Sequence, residues 1–509
     1  MEEVKAPEII VPRVLMAGSV KEWSGPTSDV YSPICHADNA PVKIGSNAVY
    51  SAEQSVAALE AADRAWLDGR GAWPQTKIAD RIASVQRFVE KLLEVRQKMI
   101  DILMWEICKT RPDSEGEFDR TIKYIKQTCE ELQRLEQENV DGKSVQVKLR
   151  RTPLGVTLLM GPANYPFNET YCMLIPALLM GNTVVMKLPN VGGLIHQYTV
   201  ELFADMFPPG VVNFVTGRAR EGIVAAMMAT GKVSVLGFIG GSEGADAIIK
   251  SHPHPHRLYA VLGLDAKNVG IVLPSADLDN AVKQCVAGAF SYNGQRCTAL
   301  KMLFVHEDIV DTFLEKFNAA TDALPRGNPW EPGVKITPLQ PRKCQYIQDL
   351  VADAIKHGAR VTNSGGGKVN HNIFSPAVLY PCNSKMRVWK EEQFGPCVPV
   401  VSFSSPTEAL DWVCESMYGQ QASIFGENPA EMNPLINVLA NQVARININL
   451  PCSRGPDHLP FTARKSSALR TLSVKDALLT FSIESMVVAG VGNGIMDALA
   501  ADESSGFMS

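Results

Sequence analysis

The chain has 509 residues, 46% of them apolar and 20% charged, with a formal net charge of −5. Those proportions provide for a large core and exclude a disordered chain. The slight acidity gives no electrostatic footprint for nucleic acid or an anionic membrane, and no apolar run reaches the ~18 residues of a membrane span.

The opening Met1-Glu-Glu-Val-Lys5 is acidic and lacks an apolar segment, so a secretory leader is not expected. Over 51–135 apolar residues recur at helical spacing, as at Ile82, Val85, Phe88, Val89 and Leu92. Asp141-Gly142 predicts a turn before an exposed strand over 145–149. From 156 the pattern becomes short apolar runs alternating with helical stretches. The runs at 156–160, 183–186, 211–215, 233–239 and 269–273 read as buried strands, with helices over 169–180, 194–206, 221–229 and 243–250 between them. Such alternation predicts a parallel, doubly wound sheet. A second set begins near Asp277 and continues through 302–305, 309–323, 350–356 and 398–402. It needs its own core, since one core stops growing beyond ~250–300 residues. A late apolar run covers 477–488, and the Gly-, Ala- and Ser-rich tail after it is expected to fray. Eleven cysteines form no CxxC pair and read as reduced thiols of a cytoplasmic protein.

Chemistry concentrates in a few places. In Asn293-Gly-Gln-Arg-Cys297-Thr a thiol, the best side-chain nucleophile, sits beside the cationic Arg296. An isolated cysteine is most often an inert core residue, but Gly294 and the polar neighbours argue against that here. Gly161-Pro-Ala-Asn164-Tyr165-Pro166 follows a strand, where α/β sheets place ligands, and the Asn164 amide suits a developing oxyanion. Taken alone, a turn capped by Asn explains it equally well. Phe238-Ile-Gly240-Gly241-Ser242 leads a strand into a helix whose N-terminus suits phosphate; a tight turn is the alternative. Lys187 ends a strand and suits ribose or phosphate, or a plain surface; Glu392 precedes one in Glu392-Gln-Phe394-Gly-Pro and suits ribose hydroxyls, or simply caps a turn. His252, His254 and His256 alternate with prolines, but no second cluster completes a metal site, so none is expected.

In order, Asn164-Tyr-Pro, Lys187-Leu-Pro, Phe238-Ile-Gly240, Gly-Gln-Arg-Cys297, Glu392-Gln-Phe-Gly-Pro and Arg454-Gly-Pro-Asp-His-Leu-Pro-Phe461 resemble the aldehyde dehydrogenase superfamily. The last motif is most similar to the non-phosphorylating glyceraldehyde-3-phosphate dehydrogenase branch, close to moss-type succinic semialdehyde dehydrogenases. The resemblance implies an α/β fold with a doubly wound cofactor-binding unit over 1–138 and 153–262 and a catalytic unit over 263–473. It adds oligomerisation segments over 139–152 and 474–509, hence a homodimer or homotetramer. It makes Cys297 the nucleophile and Asn164 the oxyanion donor, with Lys187, Gly240, Gly241, Glu392 and Phe394 at the cofactor. Arg120, Tyr165, Arg296 and Arg454 fall where the branch holds its substrate's anionic tail, which favours succinic semialdehyde, then glyceraldehyde 3-phosphate. Where NAD-preferring relatives carry a glutamate this chain has Asn190, with Arg218 and Arg220 nearby, which favours NADP over NAD.

One departure stands out. The family's Glu-Leu-Gly-Gly-Lys stretch supplies the base that activates the deacylating water. Here it reads Gly263-Leu-Asp265-Ala-Lys267, which puts glycine at the base. Another group must activate water, or the acyl group leaves to coenzyme A, or catalysis has been lost.

Overall fold

The computed structural model describes residues 6–8, 10–135, 145–218, 221–491, 494–502 and 506–508. The turn expected at Asp141-Gly142 lies outside these residues, as does Arg220. Two open sheets organise the chain. In the first the strand order is Ala468–Leu469, Tyr259–Gly263, Val235–Ile239, Val156–Met160, Thr183–Lys187 and Val212–Val215. All neighbours are parallel except the antiparallel Ala468–Leu469 at the edge. Val156–Met160 and Thr183–Lys187 are buried at every position, as strands covered on both faces must be. Helix Asn168–Leu179 is likewise buried throughout, which explains its nearly unbroken apolar sequence.

The second sheet has seven strands in the order Arg360–Val361, Ala377–Tyr380, Cys397–Phe403, Leu300–His306, Asn268–Val272, Gln421–Phe425 and Arg445–Ile448. Its own cores surround Phe313, Phe317, Trp412 and Leu435. The run at 269–273, read in series with the first set, belongs to this sheet, between Leu300–His306 and Gln421–Phe425. A doubly buried strand looks the same in sequence whichever sheet receives it. The parallel strand missing from the first series is Tyr259–Gly263, which the reading passed over because Pro- and His-rich turns precede it.

The expected helical stretch resolves into Ala52–Trp66, Ile78–Glu94, Arg96–Ile107 and Arg111–Leu135. The first starts where it does because Ser51 and Gln54 form a reciprocal capping box. Two features were not expected. Residues ahead of it form antiparallel pairs, Thr27–Cys35 with Pro41–Ala48 among them. The tail does not simply fray: Ile495–Ala501 is helical, the Gly506 carbonyl accepts from Arg150, and Met508 is buried.

The strand expected at 145–149 extends over Val145–Pro153 and pairs antiparallel with Ser482–Gly490, from Ser482↔Pro153 to Gly490↔Val145. The apolar run at 477–488 therefore divides between helix Val474–Thr480 and this strand. Asn182, wholly buried, ties the ribbon to the first sheet. Its amide donates to the carbonyls of Ala177 (2.9 Å) and Phe481 (2.8 Å), and its Oδ1 accepts from Leu154 and Gly155 (2.9 and 3.0 Å). Asn182→Leu strands three backbone groups away from water, the Ala177 carbonyl keeping the N–H of residue 182, and should cost about 3 kcal/mol or more. Urea unfolding checks this, and an unchanged midpoint would show that the clip is dispensable.

Candidate active site

A cavity of about 620 Å3 opens between the carboxyl edge of the first sheet and the amino ends of strands in the second. From the first sheet come Pro162–Tyr165, after Val156–Met160, and Gly240 and Gly241, after Val235–Ile239. These strands are neighbours across the point where the strand order reverses, the place where open α/β sheets leave a crevice. From the second sheet come Cys297, just before Leu300–His306, and Glu392 and Phe394, just before Cys397–Phe403. Arg120, Arg296 and Arg454 complete the wall with Tyr165. Ten of the residues singled out in sequence thus meet in one cavity.

The turn before Cys297 is unusual. Tyr292, Asn293 and Gly294 have φ of 50°, 55° and 69°. Only glycine fits the last position, where a Cβ would lie 2.6 Å from the Gly395 carbonyl oxygen. Asn293 holds the turn through Thr337, donating to its Oγ1 (3.0 Å) and accepting from its N–H (3.0 Å). The Tyr292 hydroxyl donates to Ile107 (3.1 Å). The Cys297 carbonyl accepts from Asn268 Nδ2 and from Lys301 Nζ, both at 2.8 Å. Cys297 is therefore carried on a fixed backbone.

Asn164 is placed from the other side. Its side-chain amide donates to the Gln295 carbonyl (2.8 Å), so the two loops are joined beside the thiol. Its own carbonyl accepts from Lys109 Nζ (3.0 Å). Lys109 pairs with Glu117, and neither side chain has exposed surface. Glu117 in turn accepts the Phe167 and Asn168 N–H groups, each at 3.1 Å.

Charge is closely matched in the cavity. Arg120 makes a two-pronged pair with Asp457 (3.0 and 2.6 Å). Arg454 lies 2.8 Å from Glu169 and against the Phe461 ring. Burial works against the Arg454 charge, but Glu169 overrides it and holds the guanidinium firmly protonated. Arg296 is different, because no carboxylate pairs with it among the described residues and its only hydrogen bond there is a long one, 3.4 Å, to the Gly288 carbonyl. Its buried Nε has no hydrogen-bond partner, as is true of Arg454 Nε and Nη2, but Arg454 has the Glu169 charge beside it. Glu392 accepts from Lys301 (2.6 Å) and from the Ala266 N–H (3.2 Å). Burial pushes its carboxyl up, with Lys301 opposing. Burial also pushes the Cys297 thiol up, and the charges of Glu169 and Glu392 add to this while Lys301 opposes it.

Some candidates lie elsewhere. Lys187, Asn190 and Arg218 do not line the cavity. Lys187 ends a strand of the same sheet edge, nearly buried and without a hydrogen-bond or ion-pair partner among the described residues. Burial brings it down to about 8, with Glu221 opposing. Glu221 also accepts the Arg218 N–H (3.1 Å), a carboxylate among cations that the sequence reading did not weigh. The N-terminus of helix Ser242–Lys250 is partly satisfied from within, since Asp265 accepts from the Ser242 N–H (2.7 Å) and hydroxyl (2.8 Å). His252 bonds the Val233 carbonyl and the His254 N–H, and among the described residues no group of acids, cysteines and histidines gathers as for a metal.

Sequence reasoning missed Lys109, Glu117, Glu169 and Lys301. The available signal was a charged residue interrupting an apolar run, as at Lys301 in Leu300–His306 and Glu169 at the head of an apolar helix.

The aldehyde dehydrogenase family model matches residues 23–487. An NADP-dependent glyceraldehyde-3-phosphate dehydrogenase of Streptococcus equinus is 34% identical over 426 residues, 82% of this chain and 86% of that one. A D-glyceraldehyde dehydrogenase (NADP(+)) of Thermoplasma acidophilum is 29% identical, with 81% and 83% covered. The crystal structure of NADP-dependent glyceraldehyde-3-phosphate dehydrogenase from Bacillus halodurans, complexed with NADP, superposes with a TM-score of 0.86 at 31% identity, covering 95% of this chain and 100% of that one. Among the described residues no helix is long and apolar enough to cross a membrane.

A raised thiol is mostly protonated at pH 7 and gains reactivity as pH rises. Alkylation of Cys297 by iodoacetamide, followed by peptide mapping of the free protein, should keep accelerating beyond pH 8.5, the ordinary thiol value. A rate already level by pH 8 would mean that a thiolate is preformed.

Proposed function

The chain belongs to the aldehyde dehydrogenase family, and from that premise we propose that it oxidises glyceraldehyde 3-phosphate with NADP. The observation that carries the reading is the cationic wall beside Cys297. Arg120, Arg296 and Arg454 stand against the two carboxylates Asp457 and Glu169, so one guanidinium, that of Arg296, is left for a bound anion. A partly buried guanidinium without a counterion is costly unless a ligand supplies one. The three relatives described carry glyceraldehyde or its 3-phosphate in their names. That reverses the order expected from sequence, where succinic semialdehyde stood first.

The residues present fit a dinucleotide. Lys187 is nearly buried and lacks a hydrogen-bonded partner among the described residues, and position 190 holds no carboxylate to repel a 2′-phosphate. Lys187, Asn190 and Arg218 would hold the adenosine end, and Gly240, Gly241, Glu392 and Phe394 the rest. When bound, NADP supplies the hydride acceptor. The Cys297 sulfur attacks the aldehyde carbon. Asn164 Nδ2, turning from the Gln295 carbonyl, donates to the oxyanion together with the Cys297 N–H. Loss of hydride leaves a thioester on Cys297, which water releases as the acid. Because Gly263 carries no base, transfer of the acyl group to coenzyme A is the second reading; it requires turnover that depends on added coenzyme A.

We also propose that the ribbon of Val145–Pro153 and Ser482–Gly490 mediates a dimer or tetramer of a cytoplasmic enzyme. Ile483, Met486 and Val488 are 55%, 63% and 50% exposed on it, an apolar edge that a second subunit would cover. Met486→Lys should lower the mass seen by light scattering, and a wild-type monomer at micromolar concentration would contradict the proposal.

Substrate choice is tested with Arg296→Ala. Loss of a charge-assisted contact of ~1.5–3 kcal/mol should cut kcat/KM for glyceraldehyde 3-phosphate by roughly ten- to over a hundredfold. Unphosphorylated glyceraldehyde should respond little. Equal losses on both would make Arg296 structural and remove the anionic substrate.

A further inference from the structure

Deacylation of the Cys297 thioester needs a group to take a proton from water, and position 263 provides none. Gly263 ends a strand at the rim of the cavity, with its carbonyl accepting from the Gly240 N–H (3.0 Å). Three carboxylates line that cavity, and they are not equivalent. Asp265 is committed through Oδ2 to the start of helix Ser242–Lys250, accepting both the N–H and the hydroxyl of Ser242. Glu392 accepts from Lys301 and from the Ala266 N–H, and its place is at the cofactor. Lys267, which burial brings down to about 7, is committed as well: its Nζ donates to the Glu391 carbonyl (2.7 Å) and Gln393 Oε1 (2.8 Å). The third carboxylate is Glu169.

Glu169 stands in the first turn of helix Asn168–Leu179, five residues beyond Asn164, and lines the same cavity as Cys297. Its Oε1 faces Arg454 at 2.8 Å, while among the described residues its Oε2 has no hydrogen-bond or ion-pair partner. The loop that carries it is fixed by Glu117 through the Phe167 and Asn168 N–H groups. Arg454 keeps the carboxyl oriented. Asp265 Oδ1 and Glu392 Oε2 also lack a partner among the described residues, but Asp265 is tied to Ser242 and Glu392 to Lys301, whereas Glu169 lies against Arg454.

We propose that Glu169 is the general base that releases the acyl group, in place of the residue missing at position 263. The inference rests on the proposed dehydrogenase reading. The Glu169 carboxylate takes a proton from water as the water oxygen bonds to the thioester carbon. The C–S bond then breaks, the electron pair returns to Cys297 sulfur, and the acid departs. Glu169 afterwards gives its proton to solvent. No oxidant or reductant takes part in this half of the cycle, because the hydride has already left.

Rapid mixing of wild-type protein with NADP and glyceraldehyde 3-phosphate, followed by NADPH absorbance, separates the two halves. Glu169→Gln keeps the shape of the side chain and its contact to Arg454 but cannot accept the proton. It should retain a burst of about one NADPH per site and lose steady-state turnover by roughly a hundredfold or more, within the range that base catalysis supplies. Hydroxylamine, which attacks thioesters without a base, should restore turnover and yield the hydroxamate. Glu169→Ala gives a second route, since added formate should recover part of the hydrolysis. Unchanged steady-state turnover in the glutamine variant overturns the assignment, and so does loss of the burst together with turnover in a variant that melts like wild type. If the glutamine variant does not fold, an alanine variant that formate fails to rescue also overturns it. Wild-type protein that forms no NADPH removes the dehydrogenase reading and the inference with it, whereas wild-type turnover that requires coenzyme A overturns the role of Glu169 alone.

Discussion

Lys109 and Glu117 form an ion pair inside the protein, with no side-chain surface left to solvent, and the geometry beside Cys297 follows from it. A charge taken from water needs its partner and its remaining hydrogen bonds, and losing one partner of such a pair typically costs about 3–5 kcal/mol. Here the remaining bonds go to a single loop. Lys109 donates to the Asn164 carbonyl, and Glu117 accepts from Phe167 and Asn168. The ammonium also lies 3.3 Å from the centre of the Tyr165 ring and 4.7 Å from that of Tyr292. One buried pair thus ties the loop of Asn164 to the turn that leads to Cys297. The requirement to satisfy two charges, rather than any preference of the loop itself, sets where Asn164 sits.

The same accounting explains the rest of the wall. Most cations around the cavity already have an internal anion: Arg120 has Asp457, Arg454 has Glu169, and Lys301 has Glu392. An arginine count made from sequence overstates the attraction for a bound anion, since two of three guanidiniums are neutralised before any ligand arrives. Arg296 and Lys343, also on the wall, have no carboxylate partner among the described residues. Lys187, at the neighbouring strand end, likewise has no hydrogen-bond or ion-pair partner among the described residues. The paired charges keep shape, and the less satisfied ones confer affinity.

What the sequence disclosed and what it hid follow from the range of the interactions. Cys297, Asn164, Gly240 and Glu392 stand in short local motifs at strand ends, and local motifs survive in one dimension. The parallel strands were legible because burial on both faces makes them unbroken apolar runs, yet that uniformity hid the sheet to which 269–273 belongs. Glu169 was read only as the start of a helix, because its importance lies in Arg454, far away along the chain. Arg120 was read as holding the substrate anion, because its partner Asp457 lies in a distant motif. The helix Ile495–Ala501 was missed because Gly, Ala and Ser around it dilute the periodic signal, and docking of the tail through Arg150 and Met508 depends on tertiary contacts.

The central claim is that one thiol among eleven cysteines, Cys297, carries the acyl group between hydride loss and release. Acid quenching during turnover with NADP and glyceraldehyde 3-phosphate, followed by digestion and mass spectrometry, reads this directly. The account predicts an acyl adduct on the peptide containing Cys297 and none on the peptides of the other cysteines. NADPH formed with the adduct on a different cysteine, or with the same yield from Cys297→Ser, would contradict it.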